Sequence, residues 1–140
     1  MKQLLLALIT ICVAFAARAE PSLFHANSKT LGYAAIDLDV TEISRDERTS
    51  LLRIKGFHGR TAYGSRWLMC AYTALAQQRT FTSWAAYYPD PPDEDLLLIF
   101  PESESDNLEK LAGRKLDNAR LLPPAPVKNM LVLCGRVLQK

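Results

Sequence analysis

A chain of 140 residues, 49% of them hydrophobic, is long enough to close one domain around its own core and too apolar to stay unfolded. Its 17 basic against 15 acidic side chains exclude a protein built to coat nucleic acid, which would carry a strong positive excess on one face. With 2 histidines and 3 cysteines there is little material for a metal centre.

The N-terminus, MKQLLLALITICVAFAARAEPS, sets Lys2 before an apolar run from Leu4 to Ala17, and Ala17-Arg18-Ala19 supplies a small-x-small cleavage pattern. Residues 1–19 therefore read as a signal peptide cut before Glu20, and the run is too short for a membrane span of about 20 residues. Ile11 stands before Cys12 where a lipid-attachment site requires Gly or Ala. The expected mature chain is one domain over 20–140, periplasmic or secreted, with no stable membrane span after cleavage. Lys2 and Arg18 leave with the signal, so acids and bases then balance at 15 each. Cys12 leaves too. The remaining pair, Cys70 and Cys134, is expected to form a disulfide in an oxidising compartment.

Residues 20–29 are polar and without pattern, and read as a loose leader. In YAAIDLDVTEI, Ile36, Leu38 and Val40 alternate with Asp37, Asp39 and Thr41, the pattern of a half-buried strand. SLLRIKGF resumes the alternation after a polar link, which predicts an antiparallel hairpin. Ser65 is placed to cap a helix over Arg66–Arg79, whose apolar stripe is Trp67, Leu68, Ala71, Tyr72, Leu75 and Ala76, with Cys70 beside it. TFTSWAAYYP turns strand-like, DPPDED is an acidic loop, and LLLIF (96–100) reads as a central strand. SESDNLEKLAG predicts a short helix capped at Ser103 or Ser105 and stopped at Gly113. RKLDNARLLPPAP is irregular. The tail PVKNMLVLCGRVLQK fits helix or strand, with helix preferred because Pro126 suits a first turn. The order β-β-α-β-β-α-α predicts an α+β domain: a mainly antiparallel sheet of about four strands with helices packed on one face.

The segment MCAYTALAQQRTFTSW is an alanine-rich helix running through an Arg-Thr-Phe link into an aromatic strand. It resembles small uncharacterised exported proteins and lipoproteins of proteobacteria, with Thr80 where glycine is more usual. The resemblance covers this segment and the preceding hairpin. It implies the element order and a bacterial envelope location, and it brings no activity with it.

Cys70 and Cys134 are far apart, each in an apolar run, whereas a redox pair needs a close Cys-x-x-Cys; both read as structural. His25 and His58 share no ligand spacing, so no metal and no cofactor are expected. HGRTAYGS places His58, Arg60 and Ser65 within eight residues, but without the nucleophile elbow of a serine hydrolase. Asp90, Asp93, Glu94 and Asp95 are broken by Pro91 and Pro92 and lack the alternation of a calcium loop. The aromatic strand carries more information. Trp84 and Tyr88 alternate onto one face and Phe81 and Tyr87 onto the other, and one helix layer covers only one face. Core packing is one reading of this strand; the other is an expected partner surface of Trp84 and Tyr88, with Arg60, Arg66 or Arg79 to meet an anionic group. The sequence thus points to a monomeric or weakly oligomeric binding or interaction module of the cell envelope, recognising a protein or envelope ligand without catalytic residues. The alternative is a small periplasmic hydrolase or cell-wall enzyme using His58 with a carboxylate or Ser65.

Overall fold

The computed structural model describes residues 22–30, 33–89 and 95–135; the expected signal segment with its cleavage point, and most of the expected acidic loop (90–94), lie outside the described residues. The chain is α+β. One antiparallel sheet has the order β1-β2-β3-β5-β4-β6, built from His25–Asn27, Asp39–Arg45, Thr49–Lys55, Ser83–Tyr87 (β4), Asp95–Ile99 (β5) and Leu121–Pro126 (β6). Three α-helices accompany it: α1 (Ala62–Gln78), α2 (Leu108–Ala112) and α3 (Val127–Cys134).

The sheet has six strands where the sequence led us to expect about four, and the two additions are its edges. β1 lies within the segment expected to be a loose leader. It is held because Ser28 is buried, its Oγ donating to the Ile36 carbonyl (2.7 Å) and accepting from Leu38 N (3.0 Å). Asn27 Nδ2 donates to Asp39 Oδ2 at 2.9 Å. β6 arises from the stretch expected to be irregular, and includes Pro123, Pro124 and Pro126. Proline cannot donate to a ladder, so it is accommodated at an edge, where it also discourages pairing with another chain.

The β2–β3 hairpin forms as the alternation requires, with Val40 opposite Ile54. β3 ends at Gly56 (φ +82°), where an added Cβ would come within 2.3 Å of the Asp37 carbonyl oxygen, so only glycine fits. α1 then carries the chain across the sheet to β4, and the β4–β5 connection folds β5 back into the gap beside β3. α1 begins one turn earlier than expected. Thr61, not Ser65, is its cap, accepting from Gly64 N at 3.1 Å. It ends with Thr80 in the left-handed region (φ 63°), Thr80 N and Phe81 N bonding back to Gln77 O and Ala76 O. α2 is capped by Asn107 instead of Ser103 or Ser105, and stops at Gly113 as expected.

The helices do not share one face. α1 and α3 cover the side carrying Val40, Leu52, Trp84, Leu96 and Leu98. α2 covers part of the other, where Leu108 and Leu111 pack on Ala85, Tyr87 and Ile99. The tail is helical, and Cys134 on α3 is bonded to Cys70 on α1 with Cα atoms 5.6 Å apart, both cysteines fully buried. An eight-residue helix is marginal alone, so α3 depends on this link and on the packing of Val127 and Met130.

One charge is buried on the helix side. Glu42 shares the core face with Val40 by the strand's alternation, and a bulge between Glu42 and Ser44 leaves Ile43 unpaired. Its carboxylate, 0% exposed, accepts from Phe24 N (2.9 Å), Ser50 Oγ (2.6 Å) and Arg45 Nε (3.0 Å), and is ion-paired with Arg45. Burial alone would raise the Glu42 pKa; the bonds from Arg45, Ser50 and Phe24 N and the Arg45 charge outweigh it and hold the pKa below the ordinary 4.5.

Two outcomes follow. Cys70→Ser and Cys134→Ser each lower unfolding free energy by about 2–5 kcal/mol in urea titrations, and the double variant adds little, because one crosslink is lost in every case. Glu42, with a depressed folded-state pKa, contributes stability that is present above its unfolded-state value and lost as pH falls through the folded-state value. Urea unfolding between about pH 7 and about pH 3 should therefore show a decline that is shallower in Glu42→Gln, although that variant is less stable at neutral pH. Parallel declines would remove Glu42 as the acid-sensitive group.

Candidate functional site

The aromatic strand does not supply the expected surface. Trp84 is 0% exposed, its ring edge-on to Tyr72 (5.3 Å between centroids) and its Nε1 donating to Thr73 Oγ1 at 3.0 Å. Tyr87, on the opposite face, is 6% exposed beneath α2 and the Arg114 guanidinium, 5.3 Å from its ring. Both faces are covered because α2 roofs the second one.

The five expected surface residues separate. Arg79 is the C-cap of α1 and spends its guanidinium on the carbonyls of Thr49 (2.6 Å), Asp46 and Glu47 and on Ser50 Oγ (2.8 Å), over the stacked rings of Phe81 and Phe100. It is a structural staple between helix and hairpin. Arg66 is exposed on α1. Only Tyr88 and Arg60 meet. The Tyr88 ring stacks on Phe57 (5.5 Å), and the Arg60 guanidinium lies 3.7 Å from the Phe57 centroid. Arg60 is tethered by Nη1 to Phe57 O (2.6 Å) and by Nε to Ser65 Oγ (3.0 Å).

The Tyr72 hydroxyl is buried with no hydrogen-bond partner among the described residues. Burial, with Tyr88 adding to it, raises the Tyr72 pKa well above 10.0. Burial also raises that of Tyr88, against the opposing influence of Tyr72 and Arg60. Both phenols are neutral at physiological pH. His58 sits edge-on to Phe57 (5.7 Å), and no hydrogen bond joins it to Ser65. A base-activated serine requires that bond. Among the described residues, no group of three or more His, Cys, Asp or Glu side chains could hold a metal, and no helix is long and apolar enough to cross a membrane.

A predominantly apolar cleft lies elsewhere. About 510 Å³ in volume, it opens where β6 passes into α3, between Phe81–Ser83 at the start of β4 and Pro101–Glu104 after β5. Phe81, Pro101, Pro124, Val127 and Leu131 give it apolar walls, and Glu102, Glu104 and Lys128 bring charge to it. The chain is fixed there by Val127 N donating to Thr82 O (2.9 Å) and Ser83 Oγ donating to Pro101 O (2.8 Å). Sequence reading missed this site because its walls come from three separate segments, joined only when β6 pairs with β4. The one available signal was the proline run beside the apolar tail. A more polar cleft of about 550 Å³ runs between the β2–β3 turn and α2, where Arg48 is already paired with Asp106 at 3.3 Å.

Because both faces of β4 are buried, Trp84→Ala and Tyr87→Ala should each cost about 3–5 kcal/mol in chemical denaturation through the cavities they leave. A nearly unchanged stability for either variant would show that its face is solvent-accessible after all.

Comparison with family models, curated proteins and solved structures finds no match to this chain.

Proposed function

We propose that the domain is a binding module of the bacterial envelope whose ligand enters the cleft between β6, α3 and the 101–104 loop. The observation that carries the reading is the character of that cleft: apolar walls from Phe81, Pro101, Pro124, Val127 and Leu131, with charged side chains beside them. Small-ligand and peptide sites have this composition, an apolar container with a few polar groups that set orientation. Phe, Pro, Val and Leu supply no acid, base or nucleophile, so the cleft suits recognition of an apolar side chain or short apolar segment. Glu102 and Glu104 on one flank and Lys128 on another can orient a dipolar or cationic group attached to it. The envelope location rests on the N-terminal sequence pattern, on the resemblance carried by 69–84, and on the suitability of a disulfide to an oxidising compartment. The hydrolase reading draws no support from His58 and Ser65, which are not hydrogen-bonded to each other.

Fragment screening by NMR tests this. Apolar fragments should shift the methyl resonances of Val127 and Leu131 together. Thr82→Trp, at an exposed position on the cleft wall, should fill the opening and weaken the same fragments at least about tenfold, the loss of one good apolar contact set, with an unchanged melting temperature. Fragments that shift other regions only, or that bind Thr82→Trp equally well, would reject the cleft as the ligand site.

A further inference from the structure

The charges of this domain are sorted in space although they nearly cancel in sum. Residues 48–89 contain no Asp or Glu, and neither does any residue after Asp117. α1 and α3, which together cover one face of the sheet, are therefore free of carboxylates, while Arg60, Arg66, Arg79 and Lys128 belong to that layer. Among the described residues the acids lie on β2, at the start of β5, on α2 and in loops, and Glu102 and Glu104 line the same cleft as Lys128.

The same layer carries the most exposed apolar side chains among the described residues. On α3, Leu131 is 36%, Val132 84% and Leu133 63% exposed, and Tyr63 projects from the first turn of α1. These α3 side chains form an exposed apolar ridge between two clefts. The ridge is flanked by cations on both sides. Leu133 shares a cleft of about 480 Å³ with Arg66, Met69 and Met130, and Leu131 lines the other cleft with Lys128. Among the described residues neither Arg66 nor Lys128 has an ion-pair partner. α3 itself is tied down by the Cys70–Cys134 bond, so the ridge is presented on a fixed helix.

From this geometry we infer that the α1–α3 face docks on an anionic lipid bilayer, Val132 and Leu133 entering the headgroup boundary while Arg66 and Lys128 meet lipid phosphates. Protruding apolar residues bordered by cations are what interfacial binding uses, and a tyrosine at the rim suits the same depth. The attachment is peripheral and reversible, since three side chains bury far less than a spanning helix.

Flotation with vesicles tests the assignment, using the exported protein purified with whatever N-terminus the cell leaves on it. Vesicles of phosphatidylglycerol and phosphatidylcholine should carry the protein, and pure phosphatidylcholine vesicles should not. Binding should fall as salt is raised, because exposed charges are screened. Val132→Glu should abolish it, and Arg66→Gln and Lys128→Gln should each weaken it about fivefold, the effect of one cation near an anionic surface. These positions are exposed, so melting temperatures should not move; any contribution from the N-terminus is common to all variants. Failure to float, equal binding to neutral vesicles, or equal binding by Val132→Glu would overturn the inference. So would a dimer that Val132→Glu dissociates, which would assign the ridge to a second copy of the chain.

Discussion

A carboxylate withdrawn from water can persist only while donors surround it, and the placement of Glu42 organises much of this domain. Its donors come from three places: Phe24 N ahead of β1, Arg45 beyond the bulge of β2, and Ser50 on β3. Ser50 also accepts from Arg79, so the end of α1 is tied to the same group. Arg79 in turn gathers the carbonyls of the β2–β3 turn and rests on Phe81 and Phe100. A chain of contacts therefore runs from one buried charge to the edge strand, the hairpin, the helix terminus and Phe81, a wall of the candidate ligand cleft. The Thr80 left-handed turn, which costs roughly 1 kcal/mol for a residue with a Cβ, is set between Arg79 and Phe81 and held by the anchorage of both.

The crossover helix makes the rest of the architecture possible. α1 leaves β3 and returns in β4 with one strand position left open between them, and β5 occupies it. The resulting sheet has a deep helix-covered side, with Trp67, Trp84 and Tyr72 fully buried, and a shallower one roofed by the five residues of α2. Both functional proposals lie at α3, the last helix. It is short, without a side-chain cap, and apolar on its outer as well as its inner side. The disulfide lets such a helix stay in place without burying its outer surface, and that leaves the surface free for a ligand or a membrane.

Particular residues show where sequence reading succeeds. The alternation of Val40 with Thr41 and of Leu52 and Ile54 with Arg53 and Lys55 placed the hairpin, because a half-buried strand has a period of two. The stripe from Trp67 to Ala76 placed α1 by its helical period, and all six stripe residues are buried. It failed where local pattern is silent. A buried Ser28 made a strand of a segment that looked loose, and edge position allowed a proline-rich segment to pair. Trp84 and Tyr88 looked free for recognition because α2, which covers the opposite face at Tyr87, comes later in the chain, and its packing is invisible to periodicity.

The sequence by itself determined the hairpin strands, α1 and the sorting of charge, and, with Cys12 expected to leave, the disulfide partners, since these depend on periodicity, cysteine arithmetic and composition, which are local or countable. Only the tertiary structure decided which surfaces remain open. Trp84 and Tyr88 share a strand face, yet one is sealed under α1 and the other stacks at the sheet's end against Phe57. Arg60, Arg66 and Arg79 are one residue type in one acid-free stretch, yet one is bound to a loop, one faces solvent and one caps a helix. The difference lies in what other segments bring to each side chain, and that is set by the long-range pairing of β5 with β3 and of β6 with β4.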